Sequence, residues 1–156
     1  MKNVKFHFYK GKSFISKIIK WRTFSIYSHV SIEIDGDVWE AWEGSSASGV
    51  VKSSNPSYYH TPLTEFDTII VPMKNVKEWK TFLDLQIGKK YDYKAIFSFL
   101  RNRNKQDNSK WFCSELAHTY FDFEVKNYKY DRLVSPQTLK DMIEHYLYGL
   151  KQLEVA

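Results

Sequence analysis

The chain has 156 residues, 43% hydrophobic and 17% aromatic, with a formal net charge of +5. That is the size of one domain, residues 1–156, with enough apolar material for a core, which excludes a disordered chain. A single cysteine excludes an intramolecular disulfide and any zinc site built on two or more cysteines of this chain. Met1 to His7 lack the apolar stretch of a secretory signal, and no run approaches the ~18 apolar residues of a membrane span. A cytoplasmic protein is therefore expected. The positive charges are scattered, with local enrichment over residues 10–22, and read as a solvated basic surface. No zinc finger, ribonucleoprotein-type aromatic motif, phosphate loop or dinucleotide fingerprint is present, so no nucleic-acid partner and no cofactor are expected.

Residues 2–9 alternate, with Val4, Phe6 and Phe8 on one side and Lys5 and His7 on the other, which predicts a strand. Residues 13–22 place Phe14, Ile15, Ile18, Ile19 and Arg22 at helical spacing, with Lys12, Lys17 and Lys20 mostly elsewhere. This predicts a basic amphipathic helix with its apolar face on the core; a membrane-surface helix is the competing reading. Residues 27–34 and 37–43 form a hairpin around Asp35-Gly36, the preferred pair for a two-residue type I′ turn. A short strand is expected at Val50-Val51-Lys52, then a loop over 53–63. Phe66 to Val71 predicts a buried strand ended by Pro72. Residues 75–87 predict a helix with Val76, Trp79, Leu83 and Ile87 along one side and Gly88 just past its end. Further helices are expected over Tyr91–Arg103, opened near Asp92, over Cys113–Phe121, and from Ser135-Pro136 to about Tyr148. A polar loop over 104–110 precedes the cysteine. The order of elements predicts an α+β fold, an antiparallel sheet packed against helices.

The hairpin places chemistry. With Asp35 and Gly36 as the loop, Ile34 faces Asp37, Ser31 faces Glu40 and His29 faces Trp42. His29, Ser31, Glu33, Glu40 and Trp42 then share one face, and Val30, Ile32, Ile34, Trp39 and Ala41 the other, apolar one. His29 and Glu40 are diagonal neighbours, roughly 7–8 Å apart at Cα, within reach of each other's side chains. Glu33 is roughly 13 Å along the strand from His29. Glu43 falls on the apolar side, but a three-residue turn with a bulge would shift the register and favour it over Glu40.

Cys113 follows a polar loop and sits where a helix begins. Unpaired N–H groups and the positive end of the helix dipole stabilise a thiolate there, and the same N–H groups can hold an oxyanion. A histidine to take the thiol proton and a polar group to orient it would complete such a site; His29 and Glu40 fit. The competing reading is a core cysteine between Phe112 and Leu116. His118, about 500° around the helix from Cys113, points away and is a weaker base candidate. His7, His60 and His145 have no comparable setting and are expected to be structural or exposed.

Three segments together carry a resemblance. Tyr27-Ser28-His29-Val30-Ser31-Ile32 with Glu40-Ala41, then Gly88-Lys89-Lys90-Tyr91-Asp92, then Phe112-Cys113-Ser114-Glu115-Leu116 resemble, in order and spacing, the permuted NlpC/P60 group of papain-like proteins. The likeness is to the YiiX/YaeF-type branch, which has bacterial, phage and poxvirus members. Ser135-Pro136 matches a further common feature of these domains. The resemblance spans about Gly11 to Leu139. It implies a permuted papain-like fold, with Cys113 as nucleophile, His29 as general base and Glu40 as orienting residue. Tyr91 would lie near the nucleophile and assist the oxyanion or bind substrate. Retinol-acyltransferase-type relatives carry a second histidine and an Asn-Cys context; Glu40 and Phe112 depart from that pattern. The implied function is a cysteine hydrolase acting on an amide in a peptide or cell-wall fragment. A lipid acyltransferase or thioesterase with the same site, and a non-catalytic binding module, are the alternatives. The implied partners are accordingly a peptide, a peptidoglycan fragment or an acyl-lipid, with a membrane surface the less favoured expectation. Residues 44–63 and 104–110 are the expected groove-lining loops.

Overall fold

The structure, a computed structural model, describes residues 1–94, 109–125 and 134–155. Five antiparallel strands form the sheet: β1 (Lys2–Tyr9), β2 (His29–Ile34), β3 (Asp37–Glu43), β4 (Ser48–Ser53) and β5 (Phe66–Met73), in the order β4-β3-β2-β1-β5. Among the described residues there are four helices: α1 (Phe14–Thr23), α2 (Val76–Gln86), α3 (Cys113–Glu124) and α4 (Pro136–Val155). The architecture is α+β, as expected. None of these helices is long and apolar enough to cross a membrane.

The β2–β3 turn is the predicted one. Asp35 and Gly36 have φ of 53° and 86°, both positive as a type I′ turn requires. Ile34 pairs with Asp37 and Ile32 with Trp39, so no bulge shifts the register. Alternation then divides the sheet. Val4, Phe6 and Phe8 join Val30, Ile32, Ile34, Trp39 and Ala41 on one fully buried face. Helix α3 packs across β2 and β3 there, with Leu116, Ala117 and Tyr120 in the same core. The indole N–H of Trp79 on α2 donates to Thr119 Oγ1 at 2.8 Å, which pairs both polar groups inside this core.

Several boundaries differ from expectation. Strand β5 runs through Pro72 to Met73 and is mostly half-exposed. It is an edge strand, and a proline is tolerated where one side of the backbone needs no partner. Ile87 lies outside α2 and is exposed, while Gly88 takes the predicted left-handed position with φ 84°. Helix α1 buries Ile19, but Phe14 and Trp21 stand in solvent, contrary to a helix with its apolar face on the core. Helix α4 starts as predicted, with Ser135 Oγ accepting from the Thr138 N–H at 3.1 Å, but continues past Tyr148 to Val155. Tyr91 is not helical. With Lys90 it forms β6, which pairs in parallel with β7 (Lys110–Trp111). Tyr93 and Lys94, just after Asp92, are helical as expected; the rest of the helix expected over 91–103, and residues 104–108 of the expected loop, lie outside the described residues.

The β6–β7 pair is what delivers the cysteine. Tyr91 pairs with Trp111, and the Asp92 N–H donates to the Trp111 carbonyl at 3.0 Å, just before Phe112 and Cys113. The pair is hung on β4: Val50 N–H donates to Lys89 O at 2.8 Å and Gly88 N–H to Val50 O at 2.9 Å. Gly49 makes this approach feasible. Its φ is 102°, and a Cβ there would meet the Lys89 carbonyl oxygen at 2.3 Å. Gly49→Ala is therefore expected to destabilise the fold by about 2 kcal/mol or more, through backbone strain and the lost approach. Urea unfolding of the variant beside the parent measures this; an unchanged midpoint would contradict it.

Candidate active site

The sheet's second face is also buried, but by polar pairing. On β1, Lys5, His7 and Tyr9 stand opposite Glu33, Ser31 and His29. Lys5 and His7 both donate to Glu33, at 2.6 and 2.9 Å, and the Tyr9 hydroxyl lies 2.8 Å from Ser31 Oγ. His7 also lies 2.8 Å from Thr68 Oγ1, which makes it a structural histidine, one of the two settings expected for it.

At the end of this face sits Glu40, 1% exposed. A carboxylate removed from water must be paired. Glu40 Oε2 accepts from His29 Nε2 at 2.7 Å and from His60 Nε2 at 3.1 Å. Burial works against its charge, but the two histidines outweigh burial and hold its pKa down to about 2. Its other oxygen, Oε1, has no hydrogen-bond partner among the described residues. The hairpin thus brings together the pair it predicted, His29 and Glu40. Glu43 lines the same cleft but accepts from Ser48 Oγ at 2.5 Å, not from His29.

His29 has two neighbours, one on each ring nitrogen. Nε2 is on Glu40, which leaves Nδ1 for its hydrogen bond with the Cys113 side chain. Burial disfavours the imidazolium, yet the interaction with Cys113, and after it Glu40, raise the His29 pKa to about 10. The ring is further held edge-on by Trp42, with centroids 5.6 Å apart and planes at 88°. Cys113 itself is the first residue of α3 and is buried. The first N–H groups of a helix have no partner within it. Nearby, the Phe112 N–H donates to Glu115 at 3.1 Å, and Ser114 Oγ donates to the Val134 carbonyl.

Tyr91 is beside this group, as expected. Burial first, and then the Cys113 charge, push its pKa well above the usual tyrosine range, so its hydroxyl stays protonated. His29, Tyr91 and Trp42 line a cleft of about 630 Å³, with Ser45, Ser46 and Tyr59 of the 44–63 segment on its wall. That segment was expected to line the groove. His118 packs against Phe121 and lies outside the cleft.

His60 takes the structural one of its two expected settings, but in a place comparable to that of His29, which was not expected. It is neither exposed nor incidental: it bonds Glu40, stacks on Tyr9 with centroids 3.8 Å apart and planes at 6°, and meets the Trp42 ring at 4.7 Å. Its loop is a series of tight turns, with Ser57 N–H on Asn55 Oδ1 at 2.8 Å and the Tyr9 hydroxyl donating to Pro56 O at 2.7 Å. No local spacing in Ser53–Pro62 announces this, because its partners are residues 9, 40 and 42. Burial lowers the His60 pKa, against the pull of Glu40, so the ring favours its neutral form.

The donor atoms of His29, Glu40 and His60 lie within 4.8 Å of one another, a set that suits a divalent cation. Such an ion and proton transfer exclude each other. Metal on His29 Nε2 would displace the Glu40 hydrogen bond and keep a proton on Nδ1, the nitrogen that faces Cys113.

Both ends of the pH scale report on this cluster. His29 is raised from 6.5, so its contribution to stability is full below pH about 6.5 and is lost as pH rises through about 10. Glu40 is lowered from 4.5, so its contribution is present above pH about 4.5 and is lost as pH falls towards about 2. Because Cys113 raises His29 more than Glu40 does, Cys113→Ala should lower the His29 midpoint further than Glu40→Gln. Titration of the His29 ring protons by NMR in the two variants decides it; the reverse order would contradict the pairing. His60→Ala removes one of the two donors to Glu40 and should move the acid limb of Cys113 alkylation to higher pH, read from a rate–pH profile.

Neither a scan of protein-family models nor a search of curated proteins finds a match to this sequence.

Proposed function

We propose that the protein is a papain-like thiol hydrolase of the permuted NlpC/P60 kind, cleaving an amide bond of peptide or cell-wall type through an acyl-enzyme on Cys113. The single observation that carries this reading is His29, shared between the Cys113 side chain and the buried Glu40 carboxylate. That is the relay a thiol nucleophile needs: a base in contact, and an orienting group behind the base.

The proposed steps use these residues in turn. His29 takes the Cys113 proton, giving an imidazolium–thiolate pair that Glu40 stabilises. The sulfur attacks the substrate carbonyl carbon, a C–S bond forms, and the carbonyl electrons move to oxygen. The N-terminal N–H groups of α3 and the protonated Tyr91 hydroxyl are the donors for that oxyanion. The tetrahedral intermediate collapses, the C–N bond breaks, and His29 gives its proton to the leaving amine. Water then attacks the thioester while His29 accepts its proton. The C–S bond breaks, and the product acid and the thiol are restored. Glu40 stays ionised throughout and fixes the ring with its proton-bearing Nε2 towards the carboxylate.

A second reading changes only the substrate. An ester or thioester of a lipid acyl chain would use the same acyl-enzyme, with an acceptor or water completing the turn. The observation that favours it is the exposed apolar surface of α1 beside the cleft, with Phe14 and Ile15 on the cleft wall. A non-catalytic binding module would need none of the His29–Cys113 coupling.

Intact mass spectrometry of the protein with peptide-amide and acyl-ester probes tests all three. A transient acyl adduct on Cys113 is expected, absent in Cys113→Ala. His29→Ala should slow iodoacetamide labelling of Cys113 at pH 7 by roughly 10²-fold, the usual scale for a lost general base. Unchanged labelling in His29→Ala would rule out the pair.

A further inference from the structure

Residues 10–32 hold five cations, Lys10, Lys12, Lys17, Lys20 and Arg22, and no acidic residue. Within that stretch, Ile19 is buried in the core and Ile18 packs partly against it. Phe14, Lys17 and Trp21, at i, i+3 and i+7, form a stripe on the side of the helix away from Ile19. Phe14 is 78% exposed and Trp21 72%. The helix ends on Phe24, which is 93% exposed and holds φ 49°, a left-handed conformation more usual for glycine. Ile26, in the following turn, is exposed as well. Two aromatic rings and an indole in water, one of them on an unfavourable backbone, are unusual in a monomer unless something else covers them.

The chemistry of the patch selects the occupant. Lys12 and Lys17 are exposed beside these rings, and Lys20 and Arg22 are half-exposed on the same helix. Aromatic side chains flanked by cations, with no anion among them, suit an interface that is apolar beneath and negative at its surface. Phe14 and Ile15 also line the cleft that holds His29 and Tyr91, so the patch is continuous with the mouth of the candidate active site.

We propose that α1 and the turn after it dock the protein on an anionic lipid bilayer, presenting the mouth of the His29–Tyr91 cleft to the membrane. Phe14, Trp21 and Phe24 enter the headgroup–acyl boundary while Lys12, Lys17 and Lys20 meet the headgroups. The docking rests on the proposed acyl chemistry only for its purpose, which is access to a substrate whose chain lies in the bilayer.

Flotation with vesicles tests it, using phosphatidylcholine alone and phosphatidylcholine mixed with phosphatidylserine. The intact protein should float with the mixed vesicles and remain behind with phosphatidylcholine alone. Trp21→Ser/Phe24→Ser and Lys17→Glu/Lys20→Glu should each cut the bound fraction by about tenfold or more. Both pairs lie outside the cleft, so iodoacetamide labelling of Cys113 and the circular dichroism spectrum should be unchanged in each. Equal flotation with both vesicle types, no flotation, or variants that float like the parent would overturn the docking. So would concentration-dependent self-association, lost in Trp21→Ser/Phe24→Ser, in a protein that does not float. Rapid Cys113 labelling without flotation removes the docking alone; flotation with an inert Cys113 removes the acyl chemistry alone.

Discussion

The Glu40 carboxylate is the constraint around which this molecule is arranged. It is 1% exposed and carries a full charge. An unpaired anion in that position would cost several kcal/mol, a large part of a small domain's stability, or would take up a proton. The fold must therefore bring donors to it, and both are imidazoles, His29 from the neighbouring strand and His60 from a loop. One of those imidazoles, His29, then stays bound to a fixed anion through one nitrogen and turns the other to Cys113. Structure and chemistry make the same demand at this point. The group that satisfies the buried charge is the group that would activate the thiol.

The polar face of the sheet follows from that demand. A sheet with helices on one side commonly leaves its other side to water. Here the other side carries Glu33, Ser31, His7, His29 and Glu40, and each finds a protein partner. The 53–65 loop acts as the lid over this network. It lays His60 flat on Tyr9 and takes the Tyr9 hydroxyl on the Pro56 carbonyl. Meanwhile Cys113 arrives from the opposite side of the sheet, in the core beneath α3. The β6–β7 pair and its hydrogen bonds to β4 set where that helix begins. The thiol and its base thus belong to different layers and meet at the end of β2.

Local chemistry explains what could be read in advance. Asp35-Gly36 admits one common hairpin, and a hairpin with known loop length has a fixed register. Register and alternation together put His29 beside Glu40 and leave Glu43 open only through a bulge in the turn, which the pairing of Ile34 with Asp37 does not contain. Ser135-Pro136 and Gly88 likewise mark helix ends through their own backbone preferences. Interactions between distant segments explain what could not. The position of His60 depends on Tyr9, Glu40 and Trp42, and a Ser-, Pro- and Tyr-rich loop has no period to betray a buried face. Tyr91 reads as helical because Asp92 is a good cap, and Asp92 Oδ1 does accept from the Lys94 N–H at 2.8 Å. The bridge to Trp111 claims Tyr91 for a strand instead. Pro72 looks like a stop until β5 is known to be an edge.

Helix α1 shows how a legible pattern can leave its environment undetermined. A period of 3.6 says that a helix has two unlike faces; it does not say which medium each face meets. Core helices and interfacial helices share the pattern and differ in what remains after the core is full. In this chain the core face of the sheet is already occupied by α3, with α2 beside it. Helix α1, at the rim, finds room for Ile19 and part of Ile18 and little else. Phe14 and Trp21 are therefore left over by packing, not by accident of a loop. That surplus stands beside the open end of the cleft, with cations around it and Phe24 beyond it. Greasy side chains retained in that place are better explained by what approaches the cleft than by what stabilises the fold.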